Sequence, residues 1–380
     1  MPMAFVAAAA NATAFQTPTA TNPPPQVRFS SSSSATGTAQ IPEISVLSPM
    51  VTRVLGLNPG KFTLQGTNTY IIGNGARRVL IDTGEGQEEY HEKLAKYAAL
   101  VGFEIEAVLI THWHGDHVGG VRKILEHAEE RQQRKNPDEG GIIPTIYKYR
   151  LDDEVVAGLR PVEPQPHWEK LGESAKHGWQ FVGVADGERL DFDGFSLTAH
   201  HTPGHAADHL VYWLEGPEET AMFSGDNVLG EGSTVFEDLG EYLDSLERMA
   251  RVLARAGGSG SNRRVRVYPG HGHVIEDGHG KVREYIGHRE QREREIVGSL
   301  RRHHQGQVSY GDGLRDGVSS VGVMEIVEDL YRAYPATLHG AAARGVVLHL
   351  TKLEREGRVE SEHGKWRLVG EIGEEEWCKL

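Results

Sequence analysis

The sequence predicts an α/β layered domain followed by a small helix–helix–hairpin module. Three observations carry this. Short apolar runs of β-type residues recur along most of the chain, each closing on a polar or glycine-rich turn. Amphipathic helical stretches fall between them, as a sheet covered by helices requires. The most abrupt of the runs, Ala107 to Ile110, ends in Thr111-His112-Trp-His114-Gly-Asp116-His117-Val-Gly-Gly120. Open α/β sheets hold their sites at such carboxyl ends of strands.

The totals set the frame. A chain of 380 residues accommodates a large domain and a small one. Cys378 is the single cysteine, which excludes an intrachain disulfide or a cysteine-based metal site and points to a reducing, cytoplasmic setting. The net charge of −14 argues against a broad nucleic-acid footprint, which needs a basic face. No run approaches the eighteen or so apolar residues of a membrane span.

Met1 to about Pro42 is rich in Ala, Ser, Thr and Pro, with Pro23-Pro-Pro25 and the run Ser30 to Ser34. Such composition cannot bury a core, so residues 1–43 are expected to form a disordered tail. An acid-poor start of this kind is also compatible with organellar targeting, although it lacks the arginines such peptides carry. The layered domain is expected over residues 44–305. Its first strands are Val51 to Leu57 and Thr69 to Ile72, flanking the turn-rich loop Asn58 to Asn68. Arg78 to Thr83 is a third strand, followed by a helix from Gln87 to Leu100, the Ala107–Ile110 strand and a helix from Val121 to Arg134. Lys135 to Gly178 is the least regular stretch. Thr145 to Tyr149 suits a strand there, while His167 and His177 lack ligand spacing and read as surface histidines.

Strand signals resume at Trp179 to Val184, then at Arg189 to Phe192 and Phe195 to Ala199 on either side of the turn Asp193-Gly194. The chain passes through His200-His-Thr-Pro-Gly-His205 into His209 to Leu214, and then Ala221 to Phe223 closes on Ser224-Gly-Asp226. The helix from Glu241 to Ala256 lines up Leu243, Leu246, Met249, Ala250 and Leu253 on one face. Val265 to Tyr268 is the last core strand, ending in Pro269-Gly-His271-Gly, and a charged helix from Lys281 to His303 completes the domain. Over residues 306–380, Val318 to Tyr334 and Leu338 to Glu356 read as helices and Arg358 to Val369 as a hairpin about His363-Gly364. Two helices and a β-wing resemble a winged-helix module. It serves either nucleic-acid or substrate contact or, since the second helix has no strong basic stripe, packing on the core to frame the cleft.

Four strand ends thus carry ligand-type residues: His112, His114, Asp116 and His117; His205; Asp226; and His271. His112 and His114, two apart in extended chain, point the same way and can share one ion, whereas Asp116 and His117 face elsewhere and suit a second. Imidazole and carboxylate are donors that zinc accepts. The bland alternative, a polar loop with incidental histidines, does not explain four ligand types at this spacing.

The series His-x-His-x-Asp-His, Thr-Pro-Gly-His, Ser-Gly-Asp and Pro-Gly-His-Gly resembles the metallo-β-lactamase superfamily. Asn58-Pro-Gly, Thr63 to Tyr70, Leu80-Ile-Asp-Thr-Gly84 and Phe223 to Asp238 are similar to one subgroup of it, the β-lactamase-like RNases and the lactamase-like thioesterases of aromatic polyketide pathways. The resemblance spans roughly Val51 to Val369. It implies an αββα sandwich with two zinc ions at one edge. His112, His114 and His205 would hold one ion and Asp116, His117 and His271 the other, with Asp226 between them. Asp116 and Asp226 would serve a zinc-bridged hydroxide in catalysis. His201, His209 and His273 flank the ligands outside the motif, and Thr67 and Asn68 are candidates for lining the cleft.

The metal site does not name the substrate. The first expectation is a thioesterase releasing a polyketide acyl chain from an acyl carrier protein domain, with Arg263-Arg264-x-Arg266 as a candidate docking patch. A single-strand-specific endoribonuclease acting on RNA is the alternative, weakened because no large inserted domain separates His117 from Asp226. A glutathione-thioester hydrolase ranks third. A scaffolding protein that has kept the fold without metal is opposed by the complete ligand set.

Overall fold

The computed structural model describes residues 39–134, 141–151, 179–257, 264–306 and 320–369. The tail before residue 39, His167, His177, Arg263 and Cys378 lie outside them. Seven strands form the first sheet in sequential order: β1 (Ile44–Val46), β2 (Val51–Leu55), β3 (Asn68–Ile72), β4 (Arg77–Ile81), β5 (Glu104–Leu109), β6 (Thr145–Tyr149) and β7 (Phe181–Val184). Neighbours run antiparallel from β1 to β4 and parallel from β4 to β7. The second sheet orders β12 (Arg266–Pro269), β11 (Thr220–Gly225), β10 (Leu210–Glu215), β9 (Phe195–His201) and β8 (Arg189–Phe192), with only β11 and β12 parallel.

Period-2 alternation decides which side chains face which layer. Val79, Ile81 and Leu109 point between the sheets, where they meet Leu197, Tyr212, Phe223 and Tyr268. Leu80, Val108 and Ile110 point the other way, against Tyr90 and Leu94 of helix α1 (Glu88–Val101) and Val121, Ile124 and Leu125 of α3 (Val121–Arg134). On the far side Val211, Met222 and Val267 pack against Leu246, Met249 and Leu253 of α4 (Leu239–Gly257) and Val282 and Tyr285 of α5 (Gly278–Gly306). The result is the αββα sandwich.

The C-terminal module is a winged helix: β13 (Val321–Gly322), α6 (Val323–Tyr331), a 3-10 turn (Ala336–Leu338), α7 (His339–Arg355), and the wing β14 (Val359–Glu362) and β15 (Lys365–Leu368). Its small sheet is ordered β13-β15-β14. Ile296, Val297 and Leu300 of α5 belong to its core beside Ile326, Leu350 and Trp366. Helix α5 therefore serves both units, and the expected boundary at residue 305 divides a shared element.

Two further expectations are corrected. Residues 39–43, expected in the tail, pack on the domain: Ile41 is buried, its N–H donates to Gln65 Oε1 at 2.9 Å, and the Glu43 carbonyl accepts from Leu55 N–H at 2.8 Å. The helix expected from Val318 begins at Val323, because Val321 and Gly322 pair with Trp366 and Lys365 of the wing. Between β5 and α3 stands a four-residue helix, α2 (Gly115–Val118), too short for any periodicity to reveal. Among the described residues no helix is long and apolar enough to cross a membrane.

Leu246 sits on the buried face of α4 with no exposed surface. Leu246→Ala is expected to lower unfolding free energy by about 2–5 kcal/mol through lost burial and the cavity it leaves, as read by urea denaturation. A loss under about 1 kcal/mol would mean that the layer collapses around the gap.

Candidate metal centre

All the candidate ligands arise where strands end, and register brings those ends to one edge. Ile81 pairs with Leu109 across the parallel β4/β5, and Phe223 with Tyr268 across β11/β12, so Asp82, His112, Asp226 and His271 emerge side by side. Backbone bonds tie the two sheets together here. Leu210 N–H donates to Thr111 O at 2.7 Å, and Asn68 N–H donates to Gly270 O at 2.7 Å. The hydroxyls of Tyr212 and Tyr70 donate to Ile110 O at 2.9 Å and Pro269 O at 2.7 Å.

Two groups result. In the first, His112 Nε2 lies 2.9 Å from His114 Nδ1, and His205 Nε2 lies 3.3 Å from the former and 3.1 Å from the latter. In the second, Asp116 Oδ2 is 3.2 Å from both His117 Nε2 and His271 Nε2. Asp226 reaches across, with Oδ2 at 3.2 Å from His271 Nε2 and 3.7 Å from His205 Nε2, and Oδ1 at 3.4 Å from His117 Nε2. The structure thus brings together all seven residues singled out in the sequence.

These spacings suit cations. A tetrahedron of Zn–N bonds has edges of about 3.3 Å, close to the separations in the imidazole trio. His117 Nε2 and Asp226 Oδ1 are buried and lack a hydrogen-bond partner, a costly state that a metal relieves. Burial, reinforced by neighbouring imidazoles, holds His112 well below its usual pKa and His114 down at about 4, so that trio offers neutral nitrogen donors. Burial also opposes charge on His117, but Asp116, Asp226 and Asp82 outweigh it and raise its pKa well above the usual value. His271 is likewise raised to about 9 against its burial, chiefly by Asp226 and Asp116. One group is electrically neutral and the other dense in charge.

A shell of partners aims the ligands. Asp82 is the hub. Its Oδ2 accepts from His117 Nδ1 at 2.7 Å and from the Thr111 hydroxyl at 2.8 Å, and its Oδ1 accepts from Thr111 N–H at 2.8 Å. Since the Thr111 hydroxyl donates to Asp82, its lone pair faces His112 Nδ1, 3.0 Å away. One carboxylate therefore orients a ligand of each group and directs both Nε2 atoms inward. Asp82 has a φ of 58°, a left-handed conformation that Asp tolerates better than most residues. His205 Nδ1 donates to Val235 O at 2.6 Å, which leaves Nε2 for the centre. His209, held neutral by burial, accepts from Asp226 N–H at 3.1 Å. A Cβ on Gly270 would lie 2.2 Å from Asp226 Oδ1, so only glycine permits that approach.

Most of the chain finds relatives. Residues 62–271 match the description "Metallo-beta-lactamase superfamily", and residues 322–366 match "Beta-lactamase associated winged helix domain". The chain belongs to the metallo-β-lactamase superfamily. Within it, a "Beta-lactamase-like protein 2 homolog" from Caenorhabditis elegans is 40% identical over 337 residues, covering 87% of this chain and 94% of that protein. "Lactamase-like protein adaB" from Aspergillus niger is 36% identical over 335 residues, 87% of this chain and 90% of that protein. A β-lactamase domain protein from Burkholderia ambifaria shares the fold at 17% identity and TM-score 0.58, over 86% of this chain and 93% of its own. This metallo-β-lactamase chain is thus a hydrolase-family member with a His/Asp site able to bind metal ions.

The residues flanking the motif take distinct places. Thr67 Oγ1 donates to Asp116 Oδ2 at 2.8 Å and accepts from Asn58 Nδ2 at 3.0 Å, so it positions a candidate ligand. Asn68 instead braces the edge, its Nδ2 donating to Pro269 O and Gly272 O, each at 2.9 Å. His201 stacks on Tyr149 with ring centroids 3.9 Å apart, and His273 sits at the surface 3.5 Å from Glu231. Asp82 and Val235 were not assigned roles from the sequence. An acid directly after an apolar strand was a usable signal for Asp82; a backbone carbonyl such as that of Val235 leaves none.

Asp82→Asn keeps the shape but removes the charge facing His117. Metal affinity, measured by competition with a chromophoric chelator, is expected to fall about 10–100-fold with the fold retained. Unchanged affinity would reduce Asp82 to a turn-forming role.

Proposed function

We propose that this protein is a binuclear zinc hydrolase acting on acyl thioesters, releasing a polyketide acyl chain from an acyl carrier protein domain. The observation that carries the hydrolase reading is Asp226, which touches both the imidazole trio and the Asp116–His117–His271 group. Two zinc ions, when bound, supply Lewis acidity and a water acidic enough to ionise near neutral pH.

The chain's own residues do the rest. Asp226 and Asp116 present carboxylate oxygens toward the middle of the centre, where a proton must be held while the acyl carbon is attacked. Thr67 fixes one of those oxygens, and His209 anchors the backbone of the other residue. The rim suits an acyl chain. The Trp113 ring lies 4.5 Å from that of His114, and Val235, whose carbonyl orients His205, is 48% exposed. An apolar rim favours a hydrophobic acyl group over a polyanion.

The endoribonuclease reading draws on the winged helix, whose second helix would enter a nucleic-acid groove. Here α7 is engaged otherwise. Leu348 packs on the α4/α5 cluster, Arg355 pairs with Asp238, and Lys352 bonds Glu293 at 2.7 Å. Arg266, in the candidate carrier-docking patch, is 2.9 Å from Glu276, which partly neutralises it.

Purified protein should hydrolyse acyl-carrier thioesters, lose that activity to a chelator and regain it with zinc. Asp226→Ala and His205→Ala should each reduce it to background while circular dichroism stays near wild type. Chelator-sensitive cleavage of single-stranded RNA with no thioester turnover would overturn the substrate assignment, and turnover of glutathione thioesters alone would move it to that class.

A further inference from the structure

Behind the loop that holds His205 lies a second cavity, of about 320 Å3, between α5 and the winged helix. Its lining includes Arg289 and Arg292 of α5, Phe236 of the loop, and Tyr331 and His349 of the module. The volume is at the lower end of small-molecule sites.

Each guanidinium lies over an aromatic ring. Arg289 lies over the Phe236 ring, 4.9 Å from its centroid, and Arg292 over Tyr331 at 4.6 Å. Such stacking fixes the planar fork and leaves its edges free to donate. Arg292 shares its charge with Glu295, also in the lining, at 2.9 Å. Among the described residues Arg289 has no carboxylate partner; its Nη2 makes a long, 3.4 Å bond to Thr234 O, the guanidinium also meets Tyr242, and its buried Nε has no partner. His349 is 2% exposed, and its Nδ1 is also buried without one. Burial, then Arg289, Lys352 and Arg292, push the His349 pKa down to about 3, so the ring is neutral and can donate from one nitrogen. Lys352 itself is taken up by Glu293 and Glu356, each at 2.7 Å. The cavity therefore presents unused donors and an excess of positive charge.

We propose that this cavity binds the phosphate group of a small molecule, with the Arg289 and Arg292 guanidiniums and the His349 imidazole as its donors. Tetrahedral oxyanions match guanidinium geometry and satisfy several donors at once. The site is separate from the metal centre and does not depend on which bond that centre cleaves. It has two available sources: free inorganic phosphate, or the phosphate ester of a pantetheine arm.

The test uses the full-length, zinc-loaded protein and an arginine-selective dicarbonyl reagent, with labelled peptides quantified by mass spectrometry. Inorganic phosphate and phosphopantetheine are added in separate arms. Either should slow labelling of Arg289 and Arg292 and leave the exposed Arg122 and Arg134 unaffected. Equal protection identifies a free-phosphate site, and stronger protection by the ester identifies a substrate-arm site. Arg289→Gln should weaken phosphate binding at this site about tenfold or more in titration calorimetry, while Asp226→Asn should not. No protection in either arm overturns the proposal. So does protection that Asp226→Asn abolishes, which would place phosphate at the metal centre alone.

Discussion

Crowding of polar atoms at one buried edge is the constraint on which the molecule turns. Ring nitrogens of five histidines and oxygens of two carboxylates meet at 2.9–3.7 Å, and two of them, His117 Nε2 and Asp226 Oδ1, have no hydrogen-bond partner. Left to itself such a cluster would spread apart or draw in water, because buried unpaired polar groups are costly. The fold prevents this by making the surrounding chain continuous across the sheets. The Thr111–Leu210 and Gly270–Asn68 backbone bonds, and the hydroxyls of Tyr70 and Tyr212, clamp the two edges directly beneath the cluster. The stability of the interleaved aromatic core thus holds the ligands together.

Asp82 adds a second level of control. A single carboxylate fixes His117 directly and His112 through Thr111, so the two groups cannot reorient independently. The groups nonetheless differ in character. Burial among imidazoles keeps one neutral, while three carboxylates raise the pKa of His117 in the other. The two groups that Asp226 touches therefore present different electrostatic fields.

The winged helix belongs to this arrangement. Residues 233–238 run between the metal centre and the module: Val235 O orients His205, Glu237 N–H donates to Gly204 O at 2.6 Å, and Asp238 pairs with Arg355 of α7. The module's core is completed by α5, whose other end packs on the second sheet. A helix expected either to reach nucleic acid or to pack on the core does the latter, and it also walls the cationic cavity behind His205.

Much of this was legible in the chain. Each strand that delivers a ligand alternates apolar and polar residues or is largely apolar, and a glycine or proline stands close to each donor group. Those are local rules, and they located the sandwich strands and all seven clustered residues. Features that depend on distant partners were not legible. Val321 and Gly322 form a strand because Trp366 and Lys365 are there to pair with, and Ile41 joins the domain through its buried side chain and its bond to Gln65. By itself, then, the sequence determined most element types and the clustered donors, since backbone periodicity and side-chain chemistry are written residue by residue, and its motifs carried the resemblance to the family. Tertiary structure alone decided that Asp82 commands both groups, that Thr67 grips Asp116, and that two arginines face a cavity without a full complement of acids. Those facts are distances between residues far apart in the chain, and packing sets them.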